Sequence, residues 1–258
     1  MRSIWSGAIG FGLVNIPVKL FSATKDSTLD LDMLDKRDHS NIKFKRINEH
    51  TGKEVLWENI VKGFKIDDKY VVLTDKDLEA ANAEKSRLIE ISSFVHEEEI
   101  DSMYFETPYY VVPDDLGSKA YGLLREALGK TKKVGIASFV LRNKEILAIL
   151  RPDDDVIILN RIRFAEEIKR KSDLDLPKRS AVKPEELKMA ISLIDQLSKK
   201  FDISKFKDEY REQLMKLIRA RAKGAKPTKP TLRVVRGTKN SDLMSQLKAS
   251  LGKNKKAS

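Results

Sequence analysis

The 258-residue chain contains no cysteine. Disulfides, thiolate zinc sites and a cysteine nucleophile are therefore excluded. Histidine is almost as scarce: only His39, His50 and His96 occur, and none belongs to an HxxxH or HExxH array. Each reads as an ordinary surface residue rather than a metal ligand. The chain also lacks a GxxxxGK[ST] phosphate loop and a GxSxG elbow, and Gly10-Phe11-Gly12 is too short for a dinucleotide fingerprint. The acid run Asp153-Asp154-Asp155 has no partner pattern, which makes a solvated turn the simpler reading than a cation site. Nothing assembles a nucleophile, a base and an oxyanion site. A binding protein without metal or cofactor is the expectation, and a metal-dependent nuclease built on Asp153–Asp155 is the weakest rival.

Long apolar runs are missing too. The opening, MRSIWSGAIGFGLVNIPVKLFSATKD, is the nearest approach. Ser6, Gly7, Gly10, Gly12, Asn15, Pro17 and Lys19 interrupt it, whereas a membrane span needs roughly 20 mainly apolar residues and a secretory signal an unbroken apolar stretch. We read it as a strand pair or a bulged strand, with glycine at bends or close backbone approaches. A soluble, cytoplasmic protein with no membrane partner follows as the expectation.

Positive charge is plentiful but unevenly placed. The net charge is +11; residues 223–258 hold ten Lys or Arg against one acid, Asp242, so residues 1–222 carry only +2. The tail is an electrostatic arm. A nearly balanced body can hold a polyanion only if its charges are sorted onto one face.

Period-two patterns dominate the first two-thirds. Strands are expected at Ile42–Ile47, Glu54–Trp57, Tyr70–Leu73, Leu88–Ile91, Met103–Phe105, Tyr109–Val112, Val134–Leu141, Glu145–Leu150 and Asp155–Leu159. Arg142-Asn143-Lys144 suits a hairpin turn. Asp75 caps a helical stretch to Glu84, and residues 117–129 contain a helix with Tyr121, Leu124 and Leu128 on one stripe and Gly129 as its stop. From Pro184 the pattern changes. Leu187, Ile191, Ile194 and Leu197, then Phe206, Tyr210, Leu214 and Leu217, predict two helices ending near Gly224. A linker with Pro227 and Pro230 leads to a short amphipathic helix over residues 242–251, striped by Leu243, Leu247 and Leu251. Such a helix is marginal alone. It either docks in a partner groove or packs back on its own chain.

Lys43, Lys45, Arg46 and Lys53 cluster around a turn at His50–Lys53, with Lys62 and Lys65 downstream. Two readings stand side by side. Phosphate contact would use such cations without reading bases; a solvated strand edge guarded by lysine would look the same.

The stretch Ile4–Leu20 closely resembles the start of the bacterial Ku family. Gly52-Lys53-Glu54-Val55, Ile60–Phe64, Ile100–Phe105, Pro108-Tyr109-Tyr110, Leu124–Leu128 and Val140–Glu145 with Leu150-Arg151-Pro152 are similar to that family in the same order. The resemblance implies a β-rich α+β fold: a Ku-type, seven-stranded kind of β-barrel core with an arch insertion, followed by C-terminal helices and a basic tail. It implies three regions: a barrel core with its arch at 1–183, helices supporting dimerisation at 184–223, and a basic linker with the short helix at 224–258. Packing within one chain is the competing reading of the helices. The implied function is sequence-independent binding of double-stranded DNA ends by a ring-shaped homodimer that recruits DNA ligase D in non-homologous end joining, in the cytoplasm with the nucleoid. A single-strand or RNA binder is the alternative. By similarity, Asn41–Glu54 belongs to the arch. Lys43, Lys45, Arg46 and Lys53 are then phosphate contacts, Lys19 and Arg151 barrel-side candidates, and Leu243, Leu247 and Leu251 the partner-binding stripe. The long lysine-rich extension of some members has no counterpart here beyond Lys253, Lys255 and Lys256.

Overall fold

The computed structural model describes the chain except residues 81–86, 143, 178–180, 225–242 and 255–258, and the side chains of 79, 243 and 251–254. The chain divides into two compact units, Met1–Asp173 and Leu174–Ser258.

The first unit is built on a closed barrel. Its strands are β1 (Trp5–Phe11), β2 (Val14–Ser22), β5 (Leu88–His96), β6 (Phe105–Pro113), β7 (Lys133–Leu141), β8 (Lys144–Asp153) and β9 (Val156–Ile162). They run in the order β1-β2-β6-β9-β8-β7-β5. All neighbours are antiparallel except β1 and β5, whose parallel pairing through Ala8↔Leu88 closes the ring of strands. Closure removes the edges that an open sheet would present. The other elements of this unit are β3 (Lys62–Ile66), β4 (Lys69–Leu73), α1 (Asp75–Ala80) and α2 (Ser118–Thr131).

The opening stretch is the β1–β2 hairpin. Gly12 turns it at φ 59°, a conformation that side chains avoid, and Leu13 stands fully exposed at the tip. Gly7 serves closure: a Cβ there would collide with the Arg87 carbonyl, which accepts from the Ala8 amide at 3.0 Å. Ile16, Val18 and Leu20 alternate along β2 and are fully buried with Ile9, Val111, Phe139, Leu150 and Leu159.

Helix α2 lays Tyr121, Leu124 and Leu128 into this core, as the stripe predicts. The Tyr121 hydroxyl donates to the Val111 carbonyl at 2.7 Å and accepts from the Ile157 amide at 2.7 Å, joining β6 and β9. Burial pushes its pKa up, so the phenol stays protonated. Tyr121→Phe leaves two buried backbone groups unpaired and is expected to destabilise the fold by about 2–4 kcal/mol. A denaturation midpoint equal to wild type would contradict that role.

Several elements differ from the sequence pattern. Gly129 does not stop α2; the helix runs to Thr131 and ends at Lys132 in the left-handed region, φ 54°. The buried neighbour Leu128 and the Thr131 hydroxyl, which donates to the Ala127 carbonyl at 2.8 Å, carry the chain past the glycine. Met103 and Tyr104 form a 3₁₀ turn rather than a strand start, and Phe105–Pro113 is one strand with a register shift before Pro108. Proline has no amide to donate, and the irregularity accommodates it. Ile42–Ile47 has the alternation of a strand but makes a single isolated bridge, Ile47↔Glu54, because no neighbouring strand among the described residues supplies a ladder. Trp57 belongs to a 3₁₀ turn over Trp57–Asn59. The helix expected to Glu84 is described as far as Ala80, and the rest lies outside the described residues. Asn143 of the predicted β7–β8 turn also lies outside them.

The second unit contains α3 (Pro184–Leu197), α4 (Glu209–Ala222) and α5 (Leu243–Asn254). Pro184 occupies the first turn of α3, where its missing amide is harmless. Asp208 caps α4 through the Arg211 amide at 2.9 Å. Neither helix buries a residue. Helix α5 packs against α3.

Candidate nucleic-acid interface

Between β2 and β5 the chain leaves the barrel for residues 23–87. The first part folds into two successive hairpin-like loops. In one, Ile42 donates to Met33 at 2.9 Å and Asp35 to Ser40 at 2.8 Å, around the bridge Leu34↔Asn41. In the other, Val55 donates to Arg46 at 2.8 Å and Asn48 to Lys53 at 2.9 Å, around Ile47↔Glu54. The second loop owes its turn to Asn48, whose side-chain oxygen accepts from the His50 and Thr51 amides at 3.0 Å, and to Gly52 at φ 65°.

Charge is sorted along these loops. Residues 26–38 carry five aspartates against Lys36 and Arg37, whereas residues 41–54 carry Lys43, Lys45, Arg46 and Lys53 against Glu49 and Glu54. Three of these aspartates are held toward their ionised form. A hydrogen bond from the Thr28 amide holds the Asp26 carboxyl below the usual carboxylate range, the Arg37 guanidinium does so at Asp35, and the Ser40 amide at Asp38.

The four cations of the basic loop share one short hairpin, and all are exposed. They are not equivalent. The Lys45 ammonium lies 2.7 Å from Glu54. The Arg46 guanidinium sits 4.6 Å from the centroid of the exposed Trp57 ring, a stacked placement that leaves its edge donors free to reach an anion. The side chains of Lys43 and Lys53 have no hydrogen-bond or ion-pair partner among the described residues. Trp57 and Glu54 carried no sequence signal of these roles; the hairpin register brings Glu54 beside Lys45, and the 3₁₀ turn that follows brings Trp57 beside Arg46.

The two barrel-side candidates are engaged within the barrel wall. Lys19 on β2 places Nζ 2.6 Å from the Asp114 carboxylate, and that hydrogen bond raises its pKa. Arg151 on β8 donates from Nε to the Asn160 side chain on β9 at 3.1 Å. A second set of arginines, Arg161 and Arg163, converges on Glu106 at 3.1 and 3.2 Å.

Beyond the loops, β3 and β4 form a separate two-stranded sheet. Phe64, Ile66, Tyr70, Val71 and Val72 are all exposed on it. Phe64 stands opposite Val71, with Ile66 on the same face. An isolated hairpin is marginal in water, and a contiguous apolar face of this kind marks an interaction surface. In the second unit Leu187, Ile191, Ile194 and Leu197 of α3 are exposed, and Leu247 of α5 is half-buried. The side chains of Leu243 and Leu251 lie outside the described ones.

Asp153–Asp155 proves to be the β8–β9 turn, with Asp153 paired to Val156, Asp154 at φ 44° and Asp155 3.6 Å from Arg125. Among the described residues no group of three His, Cys, Asp or Glu could hold a metal ion, and no helix is long and apolar enough to cross a membrane.

A family model described as the Ku70/Ku80 beta-barrel domain matches residues 10–189. The chain is 40% identical to a "Non-homologous end joining protein Ku" of Cupriavidus necator, covering 97% of this chain and 78% of that one. Proteins with the same description from Bacillus subtilis (42%, covering 84% of this chain and 71% of that one) and Archaeoglobus fulgidus (40%, 87% and 89%) are similarly related.

Proposed function

The chain belongs to the Ku family, and on that premise we propose that it binds double-stranded DNA ends, independently of sequence, as a ring-shaped homodimer that recruits an ATP-dependent ligase (ligase D) in end joining. The observation that carries this reading is the excursion from the barrel: a basic hairpin with Lys43, Arg46 and Lys53 open to an anion, joined to a β-sheet whose apolar residues lack cover. An arch of this kind holds a duplex by enclosure. Enclosure needs only phosphate contacts, which Lys and Arg make without reading bases. A second copy pairing along the β3–β4 face would cover Phe64 and Val71 and complete the ring.

Within this reading Lys43, Arg46 and Lys53 contact phosphates directly, and Lys45 does so in competition with Glu54. Lys19 and Arg151 contribute positive potential from the barrel while keeping their internal bonds. Glu54→Gln removes the competing charge and is expected to tighten DNA binding several-fold at low salt, an effect that fades as salt rises; weaker binding would oppose it.

In the same reading the leucine stripe of the sequence over residues 242–251 is the ligase contact, and recruitment then exchanges the α3–α5 packing for the partner's groove. Deleting residues 242–258 is expected to abolish ligase stimulation while DNA affinity changes less than tenfold. Full stimulation by the truncated chain would move the partner site elsewhere.

Titration against linear duplexes of unrelated sequence and single strands of equal length tests the reading. Equal affinity across duplexes and clearly weaker single-strand binding are expected. Exposed Phe44 and Trp57 offer stacking surfaces, so a preference for single-stranded DNA or RNA would transfer the site to that class of ligand.

A further inference from the structure

Helix α4 has two unlike faces. Tyr210, Leu214, Leu217 and Ile218 lie together on one. On another, Arg211, Met215, Arg219 and Lys223 follow at four-residue intervals, with Lys207 just before the helix and Lys216 alongside. A groove of about 460 Å³ runs along this second face.

The groove is net cationic, with Lys207, Arg211, Lys216 and Arg219 against two acids. Its two acids are Asp208, whose carboxylate is committed to capping the helix, and Glu212. Lys207, Arg211, Lys216 and Arg219 make no ion pair among the described residues. The helix dipole accounts for cations at the C-terminal end, Arg219 and Arg221. It does not account for Lys207 and Arg211, which sit at the end where the dipole disfavours positive charge.

We propose that this face of α4 is a second phosphate-binding surface, which grips the backbone of duplex DNA. From Arg211 to Lys223 a helical rise of 1.5 Å per residue covers roughly 18 Å, the length of about five base pairs, with Lys207 just ahead of it. Arginine and lysine at one-turn intervals along that length suit a line of phosphates. A protein partner fits the face poorly, because interface cores are depleted in lysine and anchored by aromatics; the aromatic and aliphatic anchors are on the Tyr210 face. The cations also continue in sequence: Lys226, Lys229, Arg233, Arg236 and Lys239 follow before Asp242, outside the described residues.

This inference rests on the DNA-binding reading, and one experiment separates the two. The full chain carrying Lys207→Gln, Arg211→Gln, Lys216→Gln and Arg219→Gln is titrated with a linear duplex between 50 and 200 mM salt. Loss of four phosphate contacts per subunit, eight in the homodimer, is expected to flatten the slope of log K against log salt by about 7 and to weaken binding more than 100-fold at the low end. The charge-conserving set Lys207→Arg, Arg211→Lys, Lys216→Arg and Arg219→Lys keeps the wild-type slope. Glu212→Gln, which leaves the cations intact, binds several-fold tighter; this decides the matter should the four-Gln chain lose helicity. An unchanged slope in a folded four-Gln chain, or unchanged affinity in Glu212→Gln, overturns the α4 site alone. Failure of the wild-type chain to bind linear duplex overturns both readings. Lost binding to an acidic protein with DNA affinity intact assigns the groove to that protein instead.

Discussion

A chain carrying Lys43→Glu, Arg46→Glu and Lys53→Glu is expected to bind linear duplex on the order of 10⁴-fold more weakly than wild type at 0.15 M salt. Each phosphate contact contributes roughly fivefold at that ionic strength through counterion release, and a homodimer loses six. These three are chosen because their positive ends face no carboxylate: Arg46 lies on Trp57, and Lys43 and Lys53 have no charged partner among the described residues. Lys45→Glu alone is expected to do less, because Glu54 already offsets that ammonium at 2.7 Å. The loss should be the same for every sequence, and the salt slope should flatten with it. A loss below tenfold, or one confined to particular sequences, would move the phosphate site off this hairpin. The barrel core contains none of these residues, so thermal stability should hold.

On the proposed pairing of two copies along β3 and β4, Phe64→Glu with Val71→Glu is expected to leave the chain monomeric at micromolar concentration and to remove end binding as a consequence. The two residues face each other across β3 and β4 and are exposed within one chain. Burying such side chains contributes about 1.5–3 kcal/mol each, so four of them in a symmetric pair contribute at least about 6 kcal/mol. Carboxylates placed there would also have to be desolvated. Sedimentation of the variant and wild type at matched concentration reads the result directly. A variant that stays dimeric would place the subunit contact elsewhere, with the α3 and α4 stripes as the next surface to alter.

The barrel was largely legible because its strands bury one face. Alternation at Val134–Leu141 and Glu145–Leu150 and the stripe Tyr121, Leu124, Leu128 all correspond to elements of the fold. The same alternation misled at Ile42–Ile47, where apolar residues are exposed and no neighbour completes a ladder. Period two reports which residues share a face, not whether a strand exists to pair with. The basic cluster was visible as composition, but the inequality among its members was not. Lys43, Lys45 and Arg46 look alike in sequence; the hairpin register brings Glu54 to one, while Arg46 comes to lie on the ring of Trp57, just beyond the hairpin. Lys19 and Arg151 likewise read as open cations until Asp114 and Asn160 appear beside them.

Enclosure of the duplex is the central claim, and trapping measures it. Protein is loaded on a linear fragment, the ends are ligated into a closed circle, and salt is raised until charge contacts no longer hold. The account predicts that protein stays on the circle, leaves at once when a nuclease opens it, and never loads on a circle closed beforehand. Equal release from linear and closed DNA, or ready loading on a preformed circle, would show surface attachment and contradict the ring.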